Sequence, residues 1–381
     1  MERILRLFSV TTSIFMTSRR KFLSTTFTGM AVAATAPLIP AIGSDIVKRE
    51  DMFQGAAERF KLKERIGMGG VAVANGFALK TEPEAYATLE GAWKAGVRYF
   101  DTSPWYGLGL GERRFGSFLQ HQKRDEYILS TKVGRLLQPS AVRPEVMWKN
   151  PPAFKHKYDY TADGVKRSIE DSLQRLGVER IDIVFIHDLS PDNGDLKDKW
   201  TEQFEIARKG AMPALTRLRE EGVIKAWGLG VNRIEPILKT LEVADADIFL
   251  SATQYSLIKH EDAVNRLLPA CKAKNVSLVI GAALNAGFLA GVDRYDYSGT
   301  FPDGVKEKRA KIEAIAKSHN VDLRTAALQF SSAPSVVAAV IPGASNPNQM
   351  AENIASMKAH IPPAFWQELK KEKLIAESAQ V

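Results

Sequence analysis

The chain has 381 residues, of which 45% are hydrophobic and 25% charged, and this globular composition excludes a wholly disordered chain, a collagen-like repeat and a multi-span membrane protein. One cysteine excludes a disulfide framework and cysteine-rich metal sites, and six histidines leave little material for a multi-histidine site, so we expect no metal. The net charge of +8 divides into +4 within residues 1–43 and +4 over the remaining 338, too weak a bias to predict a nucleic-acid partner.

The amino terminus has the pattern of an export signal. Residues 18–23 read Ser-Arg-Arg-Lys-Phe-Leu, and residues 24–36 are small or apolar and uncharged. The pattern is typical of a secretory signal and resembles a twin-arginine signal. We therefore predict a signal peptide over residues 1–43, recognition by the export machinery and a periplasmic protein. An uncleaved anchor or a cytoplasmic pool remains an alternative, although the apolar run is too short to span a membrane stably, which takes about 20 residues.

After the leader, short apolar runs rich in β-branched and aromatic residues alternate with amphipathic stretches. We predict strands over residues 65–68, 97–100, 127–131, 181–186, 224–229, 248–253, 276–280 and 336–341. We predict helices over residues 82–95, 161–176, 209–221, 236–241, 262–274, 304–319, 324–333, 349–358 and 363–376. About eight strands, each followed by a helix, indicate an α/β fold, a single-domain (β/α)8 TIM barrel over residues 44–381.

The longest stretch without a predicted element is 134–160, which contains four prolines. It follows a predicted strand. In a TIM barrel the chemistry lies at the carboxyl ends of the strands, so we expect this stretch on the active-site face, as a functional or disordered loop.

Ionisable residues end three of the predicted strands. Asp101, Lys132 and His187 follow the second, third and fourth strands, and Tyr106 lies five residues beyond Asp101. Each residue has an ordinary structural explanation taken alone, such as a turn cap or a buried histidine. Because all four would meet at one rim of a barrel, we interpret them together as a catalytic group.

These four residue types suit carbonyl reduction by hydride transfer and its reverse. A tyrosine has a pKa near 10, and a nearby ammonium group, here Lys132, is expected to lower the pKa of Tyr106. Asp101 would keep the lysine charged and oriented, and a His187 N–H would hold the substrate oxygen. The arrangement is general acid–base catalysis with an electrostatic site for the developing charge.

The residues around this group resemble the aldo-keto reductase superfamily. The matching segments are residues 100–107 (Phe-Asp-Thr-Ser-Pro-Trp-Tyr-Gly), 130–134 (Ser-Thr-Lys-Val-Gly) and 185–188 (Phe-Ile-His-Asp). The resemblance covers residues 65–353 and implies a TIM barrel that binds NAD or NADP without a Rossmann domain. It also implies that Asp101, Tyr106, Lys132 and His187 form the family's catalytic tetrad.

Positions that bind the nicotinamide follow from the same resemblance. The family usually has a Ser-Asn pair that grips the carboxamide group, and here Asn232 matches while Val231 replaces the serine. Gln254 matches the family glutamine that completes this grip. Many relatives stack a tyrosine on the nicotinamide after the seventh strand, and the segment 280–285 carries no such ring.

Residues 341–353 match the family's adenosine-phosphate segment. Relatives that prefer NADP carry a lysine and an arginine there for the 2′-phosphate, where this chain has Gly343 and Gln349. We therefore predict NAD as the cofactor, with NADP as the alternative if another part of the chain supplies a cation. Glu352 and Asn353 match positions that contact adenine, and both could equally be ordinary helix-surface residues.

Segments 158–177 and 284–291 are similar to the D-threo-aldose 1-dehydrogenase branch, which includes L-fucose/galactose dehydrogenases and pyridoxal 4-dehydrogenase. The resemblance implies oxidation of a sugar hemiacetal to a lactone, or of a related aldehyde, by NAD. The candidate substrate-binding residues are Trp105, Trp148, His156 and Tyr160, for which loop packing is the alternative. Two other functions stay open: an NADPH-dependent carbonyl reductase, and a cofactor-binding sensor or partner subunit with little turnover.

Overall fold

The computed structural model describes residues 59–297 and 299–381. The predicted export signal lies outside these residues. All the described residues belong to one compact unit. No helix among the described residues is long and apolar enough to cross a membrane.

Eight strands form one parallel sheet. They are β1 (Met68–Gly69), β2 (Tyr99–Asp101), β3 (Ile128–Val133), β6 (Ile183–His187), β7 (Ala226–Val231), β8 (Ile248–Ala252), β9 (Ser277–Gly281) and β10 (Val337–Val340). They pair in that order, and every pair is parallel. Because every pair is parallel, the carboxyl ends of all eight strands lie at one end of the sheet.

The first and last strands of this series meet, which closes the sheet. Isolated parallel bridges join Ile66 to Val340 and Gly69 to Gly343, and the Gly67 N–H donates to the Val340 carbonyl at 2.9 Å. Glycine is required at position 69, because an added Cβ would lie 2.9 Å from the Ile341 carbonyl oxygen. The eight-stranded (β/α)8 barrel predicted from the sequence is confirmed.

The barrel interior is filled by buried apolar side chains, most of them carried by the strands. They are Leu62, Tyr99, Ile183, Phe185, Ala226, Ile248, Leu250, Ala252, Val279, Ala339 and Ile341. Leu62 precedes the first strand and packs in this core, so the chain entering the barrel is anchored by apolar burial. The filled interior makes the barrel a rigid support, and the site must lie at the strand ends.

Eleven α-helices surround the barrel in the described part of the chain. They are α1 (Glu82–Lys94), α2 (Leu110–Leu119), α3 (Ala162–Leu176), α4 (Trp200–Lys209), α5 (Ala211–Glu220), α6 (Glu235–Val243), α7 (Leu268–Ala273), α8 (Val305–Ser318), α9 (Leu323–Ser332), α10 (Pro347–Lys358) and α11 (Pro363–Lys371). A capping box formed by Thr81 and Glu84 begins α1, and Gly177 ends α3 with a φ of 63°.

The prediction that residues 134–160 contain no regular element is wrong in part. It contains an antiparallel hairpin of β4 (Arg135–Pro139) and β5 (Phe154–Tyr158), in which Arg135 pairs with Tyr158. The sequence of β5, Phe-Lys-His-Lys-Tyr, alternates aromatic or imidazole rings with lysines, which is a strand signal. The prolines around it hide that signal.

Other predictions also differ from the structure. The prediction over residues 209–221 covers only the second of two helices, because Gly210 separates α4 from α5. Residues 262–274 begin with a π-helical turn, Ala263–Leu267, before α7. Helix α2 is missing from the prediction, because its sequence is largely polar. Its residue Glu112 is nevertheless buried and accepts a hydrogen bond from Thr131 Oγ1 at 2.6 Å.

Candidate active site

The four predicted catalytic residues line one cavity at the carboxyl ends of the strands. Asp101 and His187 are the last residues of β2 and β6, Lys132 is in β3, and Tyr106 is in the turn after β2. The register pairs Asp101 with Ser130, and Lys132 with Phe185, so β2, β3 and β6 carry these side chains on adjacent strands. The cavity has a volume of about 430 Å³.

Asp101 and Lys132 form a buried ion pair. Lys132 Nζ lies 2.7 Å from Asp101 Oδ2 and also donates to the Thr102 carbonyl at 2.9 Å. Asp101 Oδ1 accepts from the Ser130 hydroxyl at 2.7 Å, so both carboxylate oxygens have partners. Burial raises the pKa of Asp101, while the Lys132 charge and the hydrogen bonds from Lys132 and Ser130 oppose the rise.

Tyr106 contacts two of the other three residues through its ring. Lys132 Nζ lies 4.5 Å from the ring centroid, and the His187 ring is 5.8 Å away at 78°. The expected lowering of the Tyr106 pKa is not found. Burial raises this pKa well above 10, and the negative charges of Asp101 and Asp188 add to the rise, which Arg135 opposes. Asp101 offsets the Lys132 charge, so Tyr106 keeps its proton at neutral pH.

His187 is held as a neutral imidazole. Burial lowers its pKa well below 6.5, and the Arg135 and Lys132 charges lower it further. Its Nδ1 lies 3.0 Å from Ser103 Oγ, which already accepts from the Trp105 N–H at 3.1 Å. The Ser103 proton is therefore free to bond Nδ1, and this favours the tautomer with a proton on Nε2. That N–H is available to an oxygen of a bound substrate.

This geometry agrees with the comparison to known families. The sequence model of the Aldo/keto reductase family matches residues 65–373. The chain belongs to the aldo/keto reductase family. Its members use nicotinamide cofactors, so the chain is an NAD(P)-dependent oxidoreductase.

Two curated relatives are similar over most of their length. D-threo-aldose 1-dehydrogenase from a Pseudomonas species is 37% identical over 321 residues, which cover 81% of this chain and 94% of the relative. Pyridoxal 4-dehydrogenase from Microbacterium luteolum is 34% identical over 329 residues, which cover 82% and 94%. Both are members of the branch that the sequence resembles.

Solved structures support the fold. An aldo-keto reductase from Bacillus halodurans, in its holo form, matches with a TM-score of 0.61 and 22% identity, covering 85% of this chain and 97% of that one. The glycerol dehydrogenase from Gluconobacter oxydans matches with a TM-score of 0.62 and 21% identity, covering 83% and 92%. At this identity the match shows the barrel alone.

Of the two predicted nicotinamide-binding residues, one lies on the cavity wall and the other lies behind it. Asn232 lines the cavity beside Lys132 and His187. Gln254 is buried outside the cavity wall, where its side chain donates to the Asn232 backbone carbonyl at 2.6 Å. Gln254 therefore fixes the backbone that carries Asn232. Val231 also lines the cavity, so the position of the family serine presents an apolar side chain there.

The far end of the cavity carries the predicted adenosine-binding residues. Gly343, Gln349, Glu352 and Asn353 all line it, the last three from α10. A Cβ added at Gly343 would have no neighbour closer than 3.6 Å, so the missing side chain leaves its space to the cavity. The cavity thus runs from the tetrad to the start of α10, where the positive end of the helix dipole suits a phosphate group. A dinucleotide fits this set of residues.

Of the four predicted substrate-binding residues, two lie on the cavity wall and two lie behind it. Trp105 and Trp148 line the cavity, with ring centroids 5.9 Å apart, and Trp148 packs 5.7 Å from the Tyr106 ring. His156 and Tyr160 lie outside its wall. His156 stacks edge-on against Trp105 at 4.8 Å, and the Tyr160 hydroxyl donates to the His187 carbonyl at 2.9 Å. These two residues therefore support wall residues from behind.

Sequence reasoning missed several residues of the site. Ser103 and Ser130 bond tetrad members and lie in the quoted motifs, so their position was a usable signal. Asp188 lies directly after His187 and lines the cavity. Arg135 and Arg324 gave no signal, because the first acts from the unpredicted hairpin and the second from α9, a helix distant in sequence.

Proposed function

We propose that this chain is an NAD-dependent dehydrogenase that oxidises the hemiacetal of an aldose to a lactone. The observation that carries the proposal is the position of Tyr106 on the cavity wall, with Lys132 Nζ 4.5 Å from its ring centroid and the His187 ring 5.8 Å away. This places a proton-transfer group, a fixed positive charge and a neutral N–H donor around one point, as hydride transfer from a carbinol carbon requires.

In this proposal one residue orients the reacting oxygen and another transfers the proton. The His187 Nε2 proton bonds the reacting oxygen. The Tyr106 oxygen takes the hydroxyl proton as the C–H hydride leaves, and it does so in its deprotonated form, which the raised pKa of Tyr106 makes scarce at neutral pH. Bound nicotinamide supplies the acceptor for that hydride. Lys132 stabilises negative charge on Tyr106, and Asp101 holds the lysine in place. In the reverse direction Tyr106 donates its proton to the carbonyl oxygen.

The charges at the far end of the cavity support NAD. Gly343 and Gln349 carry no charge, and the Gln349 side chain accepts a hydrogen bond from the Ser345 N–H at 2.6 Å. Arg324 lines this end, but it is paired with Glu352. A 2′-phosphate group would therefore meet the Glu352 carboxylate beside a cation that is already neutralised.

The relatives support an aldose as substrate. The 37% identical relative is a D-threo-aldose 1-dehydrogenase, and its matched region covers 94% of its length. The test is a panel of aldoses assayed with NAD⁺ and with NADP⁺, followed by the absorbance of the reduced nicotinamide. We expect turnover of aldoses with a higher kcat/KM for NAD⁺. Turnover with NADP⁺ alone would contradict the cofactor assignment, and inactivity on every aldose would contradict the substrate class.

One observation favours a second candidate, an NADPH-dependent carbonyl reductase. The raised pKa of Tyr106 keeps its hydroxyl protonated, which is the form that donates a proton in reduction. Arg324 would then act as the cation for the 2′-phosphate group. The same panel separates the two candidates when aldehydes are added with NADH and NADPH, since this candidate requires faster turnover with NADPH.

We also propose that the protein acts after export, on the basis of the paired Arg19 and Arg20 in the segment 18–23. Because the twin-arginine route carries folded proteins, the cofactor would be bound before export and regenerated in place. The test replaces both arginines with lysine, which conserves the charge. We expect the wild type in the periplasmic fraction with bound nucleotide and the variant in the cytoplasm. Wild-type protein found only in the cytoplasm would contradict the proposal.

A further inference from the structure

Asp188 has a fixed position on the cavity wall beside the catalytic group. It follows His187 directly and adopts a φ of 45°, a left-handed conformation that is unusual for an aspartate. Its N–H donates to the Gly230 carbonyl at 3.0 Å, and its own carbonyl accepts from Asn193 Nδ2 at 2.9 Å. The turn that carries this side chain is therefore held on both sides.

A buried arginine holds the carboxylate itself. Arg135 Nη1 lies 2.8 Å from Asp188 Oδ2, and the Arg135 side chain is 5% exposed. The guanidinium carbon lies 4.8 Å from the Trp105 ring centroid and 5.0 Å from that of Tyr158, and Nε donates to the Tyr158 hydroxyl at 3.2 Å. A guanidinium fixed in this way holds the Asp188 carboxylate in one orientation.

One oxygen of this carboxylate is left for a ligand. Arg135 bonds Oδ2, and no other described side chain donates a hydrogen bond to either Asp188 oxygen. The Asp188 side chain is 22% exposed, and Asp188 lines the same cavity as the tetrad. A carboxylate beside a cavity, with a free acceptor oxygen, is a strong partner for a hydroxyl donor.

The position of His187 beside the Asp188 carboxylate indicates which hydroxyl group of a substrate Asp188 would bind. His187 Nε2 is 3.6 Å from Asp188 Oδ2, and because His187 is neutral the two groups do not form an ion pair. One N–H donor and one carboxylate acceptor thus stand side by side on the wall. A substrate whose reacting oxygen accepts from this donor can place the hydroxyl group of its next carbon at the free Oδ1 of the same carboxylate.

We propose that Asp188 binds the hydroxyl group on the carbon next to the reacting carbon, which selects aldoses and 2-hydroxy aldehydes over aldehydes that lack this hydroxyl. Arg135 is its positioning residue. The inference rests on the proposed function for the direction and the sugar substrate, but the selectivity for a neighbouring hydroxyl applies to hydride transfer in either direction.

The experiment measures a ratio of specificities. For the reduction of lactaldehyde and propanal, which differ at the 2-hydroxyl, kcat/KM is measured in the wild type, Asp188→Ala and Asp188→Asn. Where an aldose is oxidised, the aldose and its 2-deoxy analogue form a second pair. We expect the wild type to favour the hydroxylated partner by about 10- to 100-fold, the range for a hydrogen bond to a charged group, and Asp188→Ala to lose most of this preference.

Two further variants separate recognition from support of the hairpin. Asp195→Asn removes a carboxylate that lies 3.0 Å from both His156 Nε2 and the Tyr158 hydroxyl but outside the cavity wall, and its ratio should equal that of the wild type. Arg135→Met should reduce the ratio, and Arg135→Lys should restore part of it. If Asp188→Ala fails to fold, the isosteric Asp188→Asn carries the test, with a smaller loss of preference.

The outcomes distinguish the two proposals. Equal losses on both members of a pair, with an unchanged ratio, would assign Asp188 a structural role and overturn the inference. Absence of aldose oxidation with a preserved preference for lactaldehyde would overturn only the proposed sugar function. A wild-type enzyme that does not discriminate lactaldehyde from propanal, or turns over neither, would overturn the inference directly.

Discussion

Lys132 Nζ lies 2.7 Å from Asp101 Oδ2, and each side chain is only 1% exposed. The same ammonium group lies 4.5 Å from the centroid of the Tyr106 ring. One buried ion pair therefore joins the barrel interior to Tyr106, the group proposed to transfer the proton. Its removal should affect both the stability of the fold and the reaction.

Replacement of one partner should cost more stability than replacement of both. Asp101→Asn leaves Lys132 buried without a countercharge, and we expect a loss of about 3–5 kcal/mol in the free energy of unfolding. Asp101→Asn/Lys132→Met should recover part of that loss while turnover stays low. Urea denaturation followed by circular dichroism measures both values. Equal stability of Asp101→Asn and the wild type would contradict the burial argument.

Tyr106→Phe should remove proton transfer and little else. The ring contacts with Lys132 and Trp148 do not need the hydroxyl, so the fold and the cofactor affinity should be kept. We expect kcat to fall by about 10²- to 10⁴-fold, the usual contribution of a general acid–base group. Tyr86→Phe, at an exposed ring on α1, is the matched control. Full activity of Tyr106→Phe would show that another group moves the proton.

Stability should fall in mild acid, because the folded protein disfavours protonation of His187. Burial holds its pKa well below 6.5, so the unfolded chain binds a proton that the folded one does not. The stabilisation is complete above pH 6.5 and is lost as the pH falls toward the folded pKa, with a slope of up to about 1.4 kcal/mol per pH unit. His156 and His260 also have lowered pKa values and add to the slope.

The His187 contribution can be isolated by His187→Gln, which cannot titrate. The free energy of unfolding, measured by urea denaturation at several pH values below 6.5, should depend less steeply on pH in this variant than in the wild type. Parallel curves for the two proteins would show that His187 is not protected from protonation in the folded state.

The charge at the far end of the cavity should decide the cofactor. Gly343→Lys/Gln349→Arg adds two cations where both residues line the cavity, and Glu352→Gln frees Arg324 from its partner. Each change should lower the dissociation constant for NADPH relative to that for NADH, by about 10-fold or more for the double variant. Titration of the cofactor fluorescence measures both constants.

Gln367→Arg is the control for this series, because it adds a cation at an exposed position of α11. It should leave the NADPH to NADH ratio at the wild-type value. An unchanged ratio in Gly343→Lys/Gln349→Arg would mean that the adenosine end of the cofactor does not lie against these residues.

The barrel and the meeting of the four proposed catalytic residues in one cavity could be predicted from the sequence for a common physical reason. Parallel strands buried on both faces appear as short apolar runs, and the residue at the end of each run lies at the active-site rim. Asp101 and His187 are the residues that end β2 and β6. Their type and their position were therefore visible without any tertiary information.

The electrostatics of the site could not be predicted in the same way. The sequence implies Lys132 and Asp101 beside Tyr106 but shows neither how deeply Tyr106 is buried nor that Asp188 adds a negative charge. The predicted lowering of the Tyr106 pKa was therefore wrong. Arg324 reaches the site from α9, far in sequence from the motifs, and Arg135 directly follows the motif 130–134 but acts from a hairpin that was not predicted. Contacts of this kind depend on tertiary packing, and no local pattern reports them.

Deuterium transfer tests the central claim most directly. An aldose labelled with deuterium at C1 is oxidised with NAD⁺, and the reduced nucleotide is recovered and its mass is measured by mass spectrometry. Direct hydride transfer beside Tyr106 predicts one deuterium per reduced nicotinamide with the wild type and almost no labelled product with Tyr106→Phe. Oxidation of the aldose without label in the nucleotide would contradict hydride transfer to nicotinamide in this cavity.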